Sequence, residues 1–265
     1  MTLITLQEQH IPGATLEQKF ETARAWGFDG IELRAQGDLA FEARLPELKR
    51  AQRNGVIMPT VCVEMNHFIG AFDDDLRRDA IAQLRSQLTV MAEIGGLGAM
   101  TPASYGMFSR RLPPFEPPRS PEGDREVLLE ALTTLGVHAA SIGVELYLEP
   151  LNRYEDHMVN RLRDAASLIE EVGLDSVRIA ADTYHMNIEE ADPAAALQDA
   201  APYIGHVQAS DSNRLEPGAG HVDWALFGAT LQSIGYRGTV ALESRLSGDA
   251  ATVLPRVPAL LRRYL

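Results

Sequence analysis

Four apolar runs of strand length in the second half of the chain each end in a polar or acidic patch, and the patches recur at a near-regular interval. They read Leu148-Glu149-Pro150-Leu151-Asn152-Arg153-Tyr154-Glu155, Ala181-Asp182-Thr183-Tyr184-His185-Met186-Asn187, His206-Val207-Gln208-Ala209-Ser210-Asp211-Ser212-Asn213-Arg214 and Ala241-Leu242-Glu243. From Glu149 to Asp182, to Gln208 and to Glu243 the gaps are 33, 26 and 35 residues. One strand plus one helix of an eight-fold β/α barrel takes about 30 residues, since roughly 250 residues make eight such units. The spacing predicts that these four side chains end successive strands and converge on the C-terminal face of one barrel. Two glutamates, an aspartate and an amide oxygen meeting there point to a divalent metal site, because hard cations take oxygen donors.

The same alternation runs through the rest of the chain. Leu3 to Leu6 reads as the first strand, and Leu16, Phe20, Ala23 and Trp26 share one face of a helix over Thr15 to Trp26. Strands are then expected at Ile31 to Leu33, Val56 to Glu64 and Leu97 to Thr101, and afterwards at Val144 to Glu149, Val177 to Asp182, Ile204 to Ala209 and Gly238 to Glu243. Helices are expected between them, among them Asp75 to Ile94 and Pro121 to Ile142, the latter with Ser120 as N-cap and Pro121 in its first turn. A last helix over Asp249 to Leu265 completes eight units. The fold class is therefore α/β, a (β/α)8 TIM barrel, with residues 1–265 as a single domain.

Composition narrows the chemistry. A net charge of −13 opposes a nucleic-acid partner, which needs a basic surface, and disfavours a heavily phosphorylated substrate. Lys19 and Lys49 are the two lysines of the chain, and both fall in early helical stretches, which excludes Schiff-base and pyridoxal chemistry. The N-terminus lacks a signal-peptide pattern, and no apolar run approaches the ~20 residues that span a bilayer. The single cysteine, Cys62, permits no internal disulfide and fits a cytoplasmic protein without a membrane partner. Ser104 to Ser120 breaks the pattern, with Pro113, Pro114, Pro117 and Pro118 beside Arg110, Arg111 and Arg119. It reads as an extended loop on the catalytic face, either a stiff connection or a substrate lid or subunit contact.

Three long motifs carry a resemblance. Glu149 to Glu155, Asp182-Thr183-Tyr184-His185-Met186-Asn187-Ile188-Glu189-Glu190, and Ser212-Asn213-Arg214 with Pro217-Gly218-Ala219-Gly220-His221-Val222-Asp223-Trp224 resemble the ketose 3-epimerases. That family includes the D-tagatose and D-psicose (allulose) 3-epimerases, within the xylose-isomerase-like barrel superfamily. The similarity is close from about Gly143 to Glu243 and elsewhere extends only to layout. It implies that Glu149 and Glu243 are both metal ligands and the acid/base pair, that Asp182 is the third ligand, and that Gln208 stands where ketose epimerases usually have histidine. It also implies one divalent cation, manganese first with magnesium or cobalt as alternatives, and a homodimer or homotetramer. Glu155, His185 and Arg214 match positions that hydrogen-bond the carbonyl end of the substrate. His206, two residues before Gln208, faces the barrel interior and reads as a packed histidine beneath the ligands. Glu64, Asn66 and His67 end the third strand and read first as ordinary loop polarity, with a substrate contact as the alternative, and His138 and His157 are assigned nothing.

The physical logic stands beside the resemblance. A proton next to a ketone is too weakly acidic for a lone carboxylate, and a divalent cation on the carbonyl stabilises the enediolate as it forms. Two carboxylates on opposite faces of the carbon can then remove and return the proton with inversion. The expected function is C3 epimerisation of a small-molecule ketose or keto sugar. A hydroxypyruvate-isomerase-like aldose-ketose isomerase, motivated by Gln208, and elimination from a 3-keto glycoside remain alternatives. An AP endonuclease IV-like repair protein fits poorly with the acidic charge.

Overall fold

The computed structural model describes residues 2–108 and 116–265; Arg110, Arg111, Pro113 and Pro114 of the proline-rich segment lie outside the described residues. Eight parallel strands close into a barrel in chain order: β1 (Leu3–Gln7), β2 (Gly30–Gln36), β3 (Thr60–Glu64), β4 (Gly98–Pro102), β5 (Glu145–Glu149), β6 (Val177–Asp182), β7 (Ile204–Ala209) and β8 (Thr239–Leu242). β8 pairs with β1 from Leu3↔Thr239 to Leu6↔Leu242, which leaves no open sheet edge. The eight-fold barrel expected from the spacing is thus the fold.

Local departures from the expected boundaries have local causes. β3 begins at Thr60 and not at Val56, because Pro59 has no N–H to give to the ladder. The last helix is split into Ala250–Val253 and Arg256–Tyr264, and Pro255 at the break cannot donate to the preceding turn. A helix over Thr183–Glu189 follows β6 directly, an element the sequence pattern did not announce. Its seven residues are too few to show a helical period, and its stabilising contact is the Asp182 carboxylate, which accepts from the amides of Tyr184 (2.6 Å) and His185 (3.3 Å). The cap expected at Ser120 is present, its hydroxyl accepting from the Gly123 amide at 3.2 Å.

Among the described residues, buried apolar side chains fall into two cores. The larger lies between the strands and the surrounding helices, with Leu33, Leu88, Leu146 and Val207 fully buried. The smaller lies inside the barrel, where Cys62, Met100, Tyr147 and Ala180 pack on one another. Filling the interior with Tyr147 demands room from the neighbouring strand. A Cβ on Gly98 would stand 2.1 Å from the Glu145 carbonyl oxygen and 2.8 Å from the Tyr147 ring. Among the described residues no helix is long and apolar enough to cross a membrane.

Overlap with backbone cannot be relieved by a rotamer change. Gly98→Ala should therefore destabilise the barrel by about 3 kcal/mol, the upper range of overpacking effects, seen as a lower denaturant midpoint with unchanged slope. An unshifted midpoint would mean that β4 and β5 are free to move apart.

Candidate metal centre and active site

The four strand-end residues come together. Glu149 and Asp182 are the last residues of β5 and β6, Gln208 is the penultimate residue of β7, and Glu243 immediately follows β8. Asp182 pairs in register with Gln208, and Gln208 with Ala241, two residues before Glu243 and hence on the same face. The Glu243 amide donates to the Ala209 carbonyl at 3.2 Å, which carries the β8 ladder one residue further. Above them opens a cavity of about 500 Å3, lined by Glu149, Glu155, His185, Arg214 and Glu243 on one side and by Arg34, Met65, Phe68 and Tyr105 on the other. That volume is within the range of small-molecule sites, about 300–1,000 Å3.

Three carboxylates in this space repel one another. Burial pushes the Glu149 carboxyl well above the usual carboxylate range, and Glu243 and Asp182 push it further. Burial raises Glu243 too, against the pull of the Arg214 guanidinium. Three buried oxygens at the ends of three strands, Glu149 Oε1, Gln208 Oε1 and Glu243 Oε2, have no hydrogen-bond partner among the described residues. Buried acceptors are almost always paired, so three orphans in one cluster ask for a positive partner. Arg214 serves one of them by charge alone, its Nη2 lying 3.3 Å from Glu243 Oε2. The donor set is all oxygen and mostly anionic, and it fits a hard divalent cation.

His185 lies within the same cluster, where ligand atoms of Glu149, Asp182 and His185 fall within 4.8 Å of one another. Hydrogen bonding decides what it can do. Its Nδ1 accepts from the Asn152 backbone amide at 3.0 Å and so carries no proton. The proton is then on Nε2, which faces Glu149 Oε1 at 3.6 Å and Glu155 Oε2 at 4.0 Å. A protonated Nε2 donates a hydrogen bond and cannot bind a metal. Burial, with Arg214 adding, lowers the His185 pKa to about 3. His185 is thus a neutral donor aimed into the cavity, and Asn152, quoted in the motif but given no role, is what sets its tautomer.

Arg214 sits deeper than its loop position suggested. Its Nη1 reaches Asp182 Oδ2 at 2.5 Å and Ser210 Oγ at 3.0 Å, and the guanidinium lies over the Tyr184 ring, 5.0 Å from its centre. Burial works against its charge, but the Asp182 and Glu243 carboxylates hold it firmly protonated. The backbone at Arg214 is left-handed, φ 61°, and its loop is knitted by Asp211. The Asp211 carboxylate accepts from the amides of Ser212, Gly218 and Val222 and from the Trp224 indole. Gly220 packs so close to it that a Cβ there would lie 2.3 Å from Asp211 Oδ1. Much of the third motif therefore builds the loop that carries Arg214. Glu189 in the second motif has a similar task, binding the Arg153 amide and guanidinium.

Glu155 stands at the mouth, where burial raises its pKa and the Asn152 side chain opposes the shift. Glu32 is the functional candidate that sequence reasoning passed over. It is a fully buried glutamate inside the barrel, bonded to Gln7, Thr60, His206 and Gln208. Burial pushes it up, but the hydrogen bonds from His206, Gln7 and Thr60 outweigh that and keep its pKa below the ordinary value. A charged residue in the middle of the apolar strand Ile31-Glu32-Leu33 was the available signal. His206 is buried as expected, between Glu32 and Thr239.

The barrel has known counterparts. The xylose isomerase-like TIM barrel family matches residues 20–264. The chain belongs to that family. Among this family's members, 3-dehydro-D-guloside 4-epimerase of Escherichia coli (strain K12) is 39% identical over 250 residues, which cover 94% of each chain. D-psicose 3-epimerase of Ruminiclostridium cellulolyticum is 30% identical over 229 residues, 82% of this chain and 74% of its own. In structure, the apo form of 3-keto-D-glucoside 4-epimerase from E. coli superposes with a TM-score of 0.92 at 38% identity, covering 99% of this chain and 100% of that one. The expectation of a sugar isomerase from the xylose-isomerase-like superfamily is met at the level of family and reaction class.

The buried, neutral His185 of this xylose isomerase-like barrel makes a prediction about acid. Its pKa of about 3 in the fold compares with 6.5 for a free histidine. The unfolded chain binds the extra proton between those values, so stability is whole above about pH 6.5 and falls as pH drops toward 3. In metal-free protein, His185→Gln should flatten the dependence of stability on pH between about 6 and 4, by up to about 1.4 kcal/mol per pH unit. Chemical denaturation at a series of pH values measures this. Equal slopes for parent and variant would show that His185 is charged in the fold.

Proposed function

We propose that the protein is a metal-dependent keto-sugar epimerase that inverts a carbon next to a ketone, and that its substrate is a 3-keto-glycoside inverted at C4. The observation that carries the reading is the pair Glu149 and Glu243, each with an unpaired buried oxygen at the same cavity. The choice of C4 is supported by the end-to-end similarity to a 3-dehydro-D-guloside 4-epimerase. C3 inversion of a free ketose is the second reading, supported by the D-psicose 3-epimerase relative. The two differ in where the ketone sits, and in both the carbon inverted is its neighbour.

A divalent cation held by Glu149, Asp182, Gln208 and Glu243 would draw electrons from the substrate carbonyl and make the adjacent C–H more acidic. One glutamate takes that proton, and the bonding pair shifts toward the carbonyl oxygen. The other glutamate, starting protonated, returns a proton to the opposite face, so the product is an isomer and the enzyme ends with its two sites exchanged. Without the cation, burial and like charge raise both glutamates above free carboxylates; a bound cation would oppose that rise, so the reaction depends on the acidity that the polarised carbonyl gives the adjacent C–H. His185 donates its Nε2 proton to a substrate oxygen, and Glu155 accepts from a hydroxyl at the mouth. Arg214 holds Asp182 in place through its Nη1 contact. We further infer manganese as the cation, a cytoplasmic setting in which Cys62 stays reduced, and a homodimer or homotetramer as in the ketose 3-epimerases the motifs resemble.

Incubation of the manganese-loaded protein with a 3-keto-glucoside in D2O should place deuterium at C4 of the epimer, with free ketoses exchanging more slowly at C3. Chelation should stop both reactions. Inversion without solvent deuterium would contradict proton transfer to an exchangeable carboxyl. A second prediction separates base from ligand. Glu149→Gln and Glu243→Gln keep an oxygen donor and lose the base, so each should retain metal and lose about 10²- to 10⁴-fold in turnover. Asp182→Asn should fail chiefly through weaker metal affinity and recover in part with excess manganese. Near-native turnover by Glu243→Gln would sink the two-carboxylate mechanism.

A further inference from the structure

Gln208 differs from the other three strand-end residues in one respect. A carboxylate offers oxygen whichever way it turns, whereas a carboxamide offers oxygen at one end and two N–H groups at the other. Only one of its two orientations suits a cation.

The structure contains a device that chooses. Gln208 Nε2 donates to Glu32 Oε2 at 3.3 Å, and Gln208 Oε1 is the buried, unpartnered end. The opposite orientation would set the amide oxygen against the Glu32 carboxylate, two acceptors with no proton between them. Glu32 is itself held rigidly. Its Oε1 accepts from Thr60 Oγ1 at 2.9 Å and lies 2.8 Å from His206 Nε2, and its Oε2 also accepts from Gln7 Nε2 at 2.9 Å. His206 is fixed from its other side by Thr239 Oγ1 at 2.7 Å and lies against the Tyr147 ring at 5.4 Å. Side chains from five strands thus lock one carboxylate below the site. A fully buried anion is costly to keep, and no step of the proposed reaction uses it.

We propose that Glu32 is a positioning residue that holds the Gln208 amide with its oxygen toward the metal. Glu32 touches neither substrate nor cation, and acts only through Gln208. The inference rests on the reading of Gln208 as a metal ligand. Partners of this kind, hydrogen-bonded to a ligand, are commonly worth 10- to 100-fold in metal affinity.

The test is manganese affinity of the full chain, prepared metal-free and titrated by calorimetry, with thermal unfolding of each metal-free variant alongside. Glu32→Gln can accept or donate toward Gln208, so it removes the bias, and affinity should fall by about 10- to 100-fold. The double exchange Glu32→Gln with Gln208→Glu restores it. The amide now donates from β2, both ends of the β7 side chain are oxygen, and the charge of the pair is unchanged. Affinity should then return close to the parent value. Gln208→Glu alone sets two carboxylates against each other and should lower the unfolding temperature of the metal-free protein.

Parent-like manganese binding by Glu32→Gln would overturn the proposal. So would a loss of binding that the double exchange does not recover, since that marks Glu32 as a support for the barrel interior alone. If Glu32→Gln does not fold, the double exchange carries the test by the same criterion. A parent chain that binds no manganese would refute the ligand reading itself, an outcome distinct from either of these.

Discussion

Three carboxylates held together in a place where water is largely excluded govern the chemistry of this barrel. The ligand oxygens of Glu149 and Asp182 lie within 4.8 Å of each other. At such a distance two like charges in partly screened protein cost on the order of 3 kcal/mol. A fold tolerates that only if the charges are compensated, and the compensation visible in the chain is partial. Arg214 pairs with Asp182 and leans toward Glu243, yet Glu149 remains raised and three oxygens remain unpaired. The imbalance that favours a divalent cation is also what raises Glu149 and Glu243 in the metal-free protein, and a bound cation would relieve both.

Barrel closure makes the arrangement possible, and the loops make it accurate. Parallel pairing aligns Asp182 with Gln208 and brings Glu243 onto the same face, whatever the loops do. The loop residues then set orientation. Asp182 caps the helix that carries His185, Asn152 sets the His185 tautomer, and Asp211 ties the loop that returns Arg214 to Asp182. Each of these contacts joins a residue that would do chemistry to one that holds it still, as rigid sites require.

The legible parts of the sequence were those governed by period. Strand ends at near-regular intervals revealed the barrel and its acidic face because β/α units have a nearly constant length. The capped helix at Ser120-Pro121 was readable for the same reason: its signals are local. What escaped was set by partners far away in sequence. Glu32 sits 174 residues from His206 and 176 from Gln208, and only closure of the barrel joins them. The helix over Thr183–Glu189 escaped because an aspartate read as a ligand also serves as its cap. Arg214 read as a substrate contact, and its guanidinium lines the cavity but also pairs with Asp182 and Glu243, contacts that no residue pattern announced. Its left-handed backbone, which aims it inward, leaves no trace in a pattern of residue types.

The central claim, one divalent cation on an all-oxygen set, is open to direct inspection. Anomalous diffraction at the manganese edge from crystals of the loaded protein should give one peak in the barrel mouth, within about 2.0–2.6 Å of oxygens of Glu149, Asp182, Gln208 and Glu243. His185 Nε2 should lie outside the coordination sphere. A peak bonded to His185 Nε2, or one whose neighbours do not include Gln208 Oε1, would contradict the account.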